Sequence, residues 1–175
     1  MKLPANSPAI VITQHMPPGF TTTFAQRLDT LCKVNVHEAK GGERLLPGNA
    51  YLAPGHKHMK IVKSGADYKI RLDDSERVSG HKPSVDVMFA SLAECSGKNT
   101  VAAILTGMGK DGAQGIHQLH QQGAYTIAQN EQTCVVYGMP KEAVKTGGVD
   151  NVRAIDDIAD DIIQYLRKTN AGSRL

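Results

Sequence analysis

Tryptophan is absent from this chain, and aromatic residues of all kinds make up only 5% of it. A protein so short of stacking platforms makes a poor single-strand nucleic-acid binder. An excess of one charge is missing as well. Twenty Lys and Arg stand against seventeen Asp and Glu, a formal +3, and the cations are scattered among acids with no long basic run. Nucleic acid is therefore disfavoured as a partner. No stretch approaches the roughly 20 apolar residues that a spanning helix needs. The start, Met1-Lys2-Leu3-Pro4-Ala5-Asn6-Ser7-Pro8, has no apolar signal core, so neither membrane insertion nor export is indicated. Cysteine is scarce and odd in number, with Cys32, Cys95 and Cys134 outside any C-x-x-C spacing. That pattern fits idle or buried thiols in a reducing compartment, and the chain reads as cytoplasmic.

What is present suits one α/β domain over 1–175. Hydrophobic residues form 41% and charged residues 21% of the chain, ordinary for a fold with a real core. Ala9-Ile10-Val11-Ile12 is short and β-branched, as a strand buried on both faces of a parallel sheet should be. The two prolines of Thr13-Gln14-His15-Met16-Pro17-Pro18-Gly19 force a turn after it. Thr21 or Thr22 then offers a cap to a helix on which Phe24, Leu28, Leu31 and Cys32 recur. From about 34 to 78 short alternating runs such as Ala50-Tyr51-Leu52 and Met59-Lys60-Ile61-Val62 suggest an antiparallel β-hairpin insertion, with Ser64-Gly65-Ala66-Asp67 as one turn. Ser84 can cap a helix striped by Val85, Met88, Phe89 and Leu92, and Gly97 can stop it. Strand and helix then alternate: Val101–Leu105, a helix face of Ala113, Ile116 and Leu119, Ala124–Ala128, a helix opened by Pro140, a strand near Val152, and a last helix with Ile158, Ile162 and Leu166. The expected fold is doubly wound and Rossmann-like, with a mostly parallel sheet.

The feature richest in chemistry is Thr106-Gly107-Met108-Gly109-Lys110-Asp111-Gly112-Ala113, a glycine-rich strand-to-helix turn that carries a carboxylate. In an open parallel sheet ligands bind beyond the carboxyl ends of the strands. The loops after Ile12 and after Leu105 should share that rim, bringing His15 and Asp111 together. An aspartate that accepts the Nδ1 proton of a histidine fixes its tautomer and leaves Nε2 free to take a proton from a nucleophile. A helix N-terminus would favour the aspartate's charge. The plain alternative is a turn histidine and a capping aspartate. Gly107, Gly109 and Gly112 also spell G-x-G-x-x-G, and Glu131 falls near where a ribose-binding acid is expected. Against a dinucleotide, the motif comes late in the chain, and Asp111 would point its charge at the pyrophosphate. His56-Lys57-His58 and His117 with His120 lack neighbouring ligands at metal spacing and read as solvated histidines. No metal and no cofactor is implied.

Several motifs in order resemble one family. Ile12-Thr13-Gln14-His15-Met16-Pro17-Pro18-Gly19-Phe20, Tyr51-Leu52-Ala53-Pro54-Gly55, Pro83-Ser84-Val85-Asp86-Val87, Leu105 through Ala113 and Val135-Val136-Tyr137-Gly138-Met139-Pro140 are similar to the catalytic domain of the bacterial chemotaxis protein-glutamate methylesterases, CheB. The resemblance implies a Ser-His-Asp hydrolase that removes methyl esters from glutamates of methyl-accepting chemotaxis receptors, on their cytoplasmic part, and also deamidates receptor glutamines. His15 would be the general base, Asp111 its orienting acid, and the Met108 amide an oxyanion donor. Family members carry the serine on a G-x-S-x-G-G loop farther upstream of the histidine than this chain extends, and a phosphorylatable receiver domain before that. Ser7 is the only serine ahead of His15, and its segment matches the connection before the histidine's strand. The expectation is therefore a fragment, Met1 being an internal methionine of a longer working esterase, and the 175 residues alone being inactive. The alternatives are a non-catalytic receptor-binding module and, less favoured, a dinucleotide-binding protein.

Overall fold

The computed structural model describes residues 2–169; Met1, read above as an internal methionine, lies outside them. The chain divides into two compact units, Met1–Ser84 with Ile163–Leu175, and Val85–Ile162.

In the first unit β1 (Ile10–Ile12) leads through the proline turn into α1 (Phe20–Leu31), and β2 (Asn35–Glu38) and β3 (Asn49–Leu52) follow. All three strands are parallel in the order β1-β3-β2, so β3 is central, with Val11 opposite Tyr51 and His37 opposite Tyr51 on its other side. The expected antiparallel hairpin insertion is present as β4 (His58–Ser64) and β5 (Asp67–Asp73), closed at Ser64 and Asp67, but its expected extent of about 34–78 is corrected, because β2 and β3 within it are parallel strands. The runs at 35–38 and 49–52 are too short for alternation to reveal strand direction. Burial tells more, because β3 is buried from Ala50 to Leu52, as a central parallel strand should be. Leu52 is fully buried in a core with Ala25, Val34, Val36 and Ala50, and Ile10, Ile12, Phe24, Leu28 and Cys32 pack on it. Burying such a leucine contributes about 2 kcal/mol.

Two expectations about α1 fail. The helix starts after Gly19, at φ 86, with no side-chain cap. The hydroxyls of Thr21 and Thr22 donate instead to the two carboxylate oxygens of Glu38, a charged acceptor that outcompetes a local amide. Leu31 is 49% exposed, since Phe24, Leu28 and Cys32 already complete the stripe at intervals of four.

In the second unit β6 (Val101–Ile104), β7 (Tyr125–Gln129) and β8 (Asn151–Arg153) form a parallel sheet in sequence order. Helices α2 (Val85–Cys95), α3 (Ala113–Gln121) and α4 (Met139–Lys145) belong to this unit, and α5 (Ile155–Lys168) ends the described chain. The apolar face of α3 is buried at Ala113, Ile116 and Leu119, and Pro140 sits in the first turn of α4. Among the described residues no disulfide joins the three cysteines, each of which is half-buried.

Candidate active site

His15 stands on the loop after β1, beside a cleft of about 290 Å³ that Gly55, Arg77, His81 and Lys82 also line. The loop after β3 reaches the same place because both strands point the same way. Their approach is close: a Cβ on Gly55 would sit 2.6 Å from the Met16 carbonyl oxygen and from Pro18 N, so only glycine fits. The Gly55 amide donates to Thr21 Oγ1 at 3.1 Å, and that hydroxyl donates to Glu38. A buried relay from β2 through α1 thus fixes the floor of the cleft.

The wall opposite His15 is a strap over residues 74–84. Ser79 (φ 53) and Gly80 (φ 80) turn it back on itself, and Val78 and His81 exchange backbone hydrogen bonds of 3.0 and 2.9 Å, the geometry of a two-residue primed turn. The Lys82 ammonium donates to the Asp74 carboxylate at 2.8 Å and to the Ser75 carbonyl at 3.0 Å, and holds the Asp74 carboxyl below its usual range. His58, fully buried, pins the strap at both ends. Its Nδ1 accepts the Ser84 amide proton at 3.1 Å, so Nε2 carries the hydrogen and donates to the Glu76 carbonyl at 2.9 Å. The reading of His58 as a solvated histidine is therefore corrected. His81 lays its ring flat on that of His15, centroids 3.8 Å apart and planes 6° apart.

Asp111 and Met108 belong to the second unit, on the loop between β6 and α3. Asp111 is 1% exposed. Its two oxygens accept the Val85 amide at 2.7 Å and the Asp86 amide at 3.1 Å, the first two N–H groups of α2. The helix N-terminus expected beneath this carboxylate is thus that of α2 rather than of α3, whose start is Gly112 in a left-handed conformation. Two amides and the positive helix end suit an ionised carboxylate. Asp86, beside it, accepts the Gly115 amide at 2.8 Å. Burial pushes the Asp86 carboxyl above its usual range, and the charge of Asp111 pushes the same way. A Cβ on Gly112 would lie 2.7 Å from Val85 Cγ1, so this glycine lets the turn press Asp111 against α2. A buried, amide-held carboxylate in the turn leaves no place for a pyrophosphate there.

Met108 projects into solvent at 80% exposure, and among the described residues its amide meets no acceptor. The neighbouring Gly107 is anchored, its amide donating to the Val136 carbonyl at 3.1 Å and its carbonyl accepting the Met139 amide at 2.8 Å. Ser7 is buried, with its hydroxyl donating to the Pro4 carbonyl at 2.6 Å in a turn of its own. Among the described residues no three His, Cys, Asp or Glu side chains are grouped to hold a metal ion.

Sequence reasoning missed His81 and the place of His58. His81 had a faint signal, standing two residues before Pro83-Ser84 in a matched motif after a Ser-Gly turn pair. His58 had none, because a fully buried histidine at the start of a strand looks in sequence like any polar residue at a loop edge.

A Rossmann-like α/β chain that presents a histidine and a buried, amide-held aspartate on loops after parallel strands belongs to the class of α/β domains that place their sites beyond the carboxyl ends of the strands. The particular membership is direct: residues 1–162 match the family model of the CheB methylesterases, and the chain belongs to that family. It is 56% identical over 175 residues to a protein-glutamate methylesterase/protein-glutamine glutaminase of Methylobacillus flagellatus, covering 100% of this chain and 49% of the relative. The Salmonella typhimurium protein of the same description is 54% identical over 173 residues, with 99% and 49% covered. The crystal structure of the Thermotoga maritima CheB methylesterase catalytic domain superposes with a TM-score of 0.91 at 40% identity, covering 94% of this chain and 87% of that one. The chain spans about half the length of the curated relatives it matches.

Proposed function

We propose that residues 1–175 are the larger part of the catalytic domain of a protein-glutamate methylesterase, which also deamidates glutamines, and that His15 and Asp111 are its base and orienting acid. Family membership supports the reaction class. The observation that carries the residue roles is the pairing of sites to roles: a histidine facing an open cleft, and an aspartate sunk to 1% exposure on two amides.

The nucleophile, as the resemblance to the family implies, is a serine from a segment ahead of residue 1; Ser7, the only serine before His15, is committed to its own turn. Its oxygen bonds to the carbonyl carbon of the glutamyl methyl ester as its proton passes to His15 Nε2. The role proposed for Asp111 is the orienting acid that favours the charged imidazole in such triads. The role proposed for the Met108 amide is oxyanion donor, which typically lowers the barrier by about 3 kcal/mol. His15 then returns the proton to the leaving methoxide, releasing methanol. Water, deprotonated by His15, splits the acyl-enzyme to glutamate and free serine. With glutamine the leaving group is ammonia. The substrate is the cytoplasmic part of methyl-accepting chemotaxis receptors, a receiver domain regulates the whole protein, and no cofactor takes part. The setting is cytoplasmic; among the described residues no helix is long and apolar enough to cross a membrane.

The test is methanol release from methylated receptor. The protein as its source cells make it should be active, and His15→Ala should lower its rate by several orders of magnitude. The 175 residues alone should release none. Release by the 175-residue chain would overturn the placement of the serine. Receptor binding without methanol release by the natural protein would shift the reading to a non-catalytic module.

A further inference from the structure

We propose that His81 is a positioning residue for His15, acting through its ring face, and that the strap over 74–84 exists to hold it there. The proposal rests on the reading of His15 as the base. A general base must aim one nitrogen at the nucleophile while its ring stays free to gain and lose a proton. Hydrogen bonds can fix an imidazole in its own plane, but they leave it able to tilt. The stack with His81, at 3.8 Å and 6°, blocks that motion and excludes water from one face of the ring.

The strap is built in proportion to such a task. His81 is one of the paired residues of the primed turn, so its Cα is set by backbone hydrogen bonds on both sides. Next to it Lys82 ties the strap to its own beginning at Asp74 and Ser75. Beneath, His58 grips Glu76 and Ser84. Three independent anchors around one exposed loop are more than a surface connection needs, and they converge on the residue that touches His15.

The experiment compares His81→Ala with His81→Phe in the protein as its source cells make it. In His81→Ala, kcat for methanol release should fall about 10- to 100-fold with KM little changed, the range expected when a reacting group is misaligned by up to about 1 Å. His81→Phe keeps a flat ring and should recover most of the loss. The His15 Cε1 proton, observed by NMR after histidine labelling, should move downfield in His81→Ala and stay shielded in His81→Phe, because only a stacked ring screens it. An unchanged kcat in His81→Ala, or a raised KM with kcat preserved, would overturn the proposal. So would an unmoved His15 resonance. The resonance reports the stack whether or not His15 is the base, and His15→Ala tests that role separately. If His81→Ala fails to fold, the phenylalanine variant decides through its kcat and its shielding.

Discussion

The two units hold their candidate residues by opposite means. In the first, His15 is supported by side chains: a ring face from His81, and behind it a strap tied by Lys82, Asp74 and the buried His58. In the second, Asp111 is held by main-chain amides at the start of α2, out of contact with water. The difference follows from what each group is asked to do. A base changes charge during turnover, and a neighbouring ring supports both of its states. A partner that keeps one charge is better served by backbone dipoles, which do not titrate or rotate away. Regions fixed by main chain should be costly to disturb, and regions fixed by side chains should loosen locally.

The largest expected effect tests the main-chain side. Asp111→Ala strips the acceptor from two amides. An unsatisfied buried donor costs about 1–3 kcal/mol, so a stability loss of about 2–6 kcal/mol follows from the pair, seen as a lower urea midpoint. Asp111→Asn keeps one oxygen for an amide and should lose less. In the natural protein both variants should lose activity by orders of magnitude. If Asp111→Ala unfolds at the parental urea concentration, the carboxylate is not what completes the start of α2, and the contrast between the units collapses.

His58→Phe probes the side-chain side. A flat ring of somewhat larger volume is kept, but the buried Ser84 amide loses its acceptor, for a cost of about 1–3 kcal/mol, while the carbonyl of exposed Glu76 can turn to water. Hydrogen exchange should quicken at Ser84 and along the strap while the α3 amides, in the other unit, stay protected. Equal acceleration in both units would show that the strap is not a local device.

How far the sequence reaches follows the same division. The loop from Leu105 to Ala113 was legible because glycine, a carboxylate and a strand-to-helix switch each leave a local mark, and Gly112 is where the close approach to Val85 demands it. His15 was legible from Pro17-Pro18 and the strand before it. What was not legible depends on partners distant in the chain. Thr21 was read as a cap because Glu38 could not be known to lie across from it. The direction of β3 depends on its pairing with β1, and that of β2 on its pairing with β3, which three or four residues cannot encode. That α2 rather than α3 hosts Asp111 is a fact of packing between segments 25 positions apart.

The smallest effect sharpens the comparison at its edge, on the β4–β5 hairpin. Lys60 makes a short ion pair with Asp73 across the strands. That hydrogen bond first, and the Ser75 amide next, lower the Asp73 carboxyl to about 2. A carboxyl depressed on folding adds stability above its unfolded-state value, and that increment disappears as pH falls through about 2. Lys60→Met should therefore lower the melting temperature slightly near neutral pH, and the gap to the parent should close as the solution is acidified. Because the pair is partly solvated the gap should also shrink in high salt. A gap that persists at low pH would mean that the lysine acts through its aliphatic stem rather than its charge. The hairpin would then be held by packing, unlike the strap that follows it.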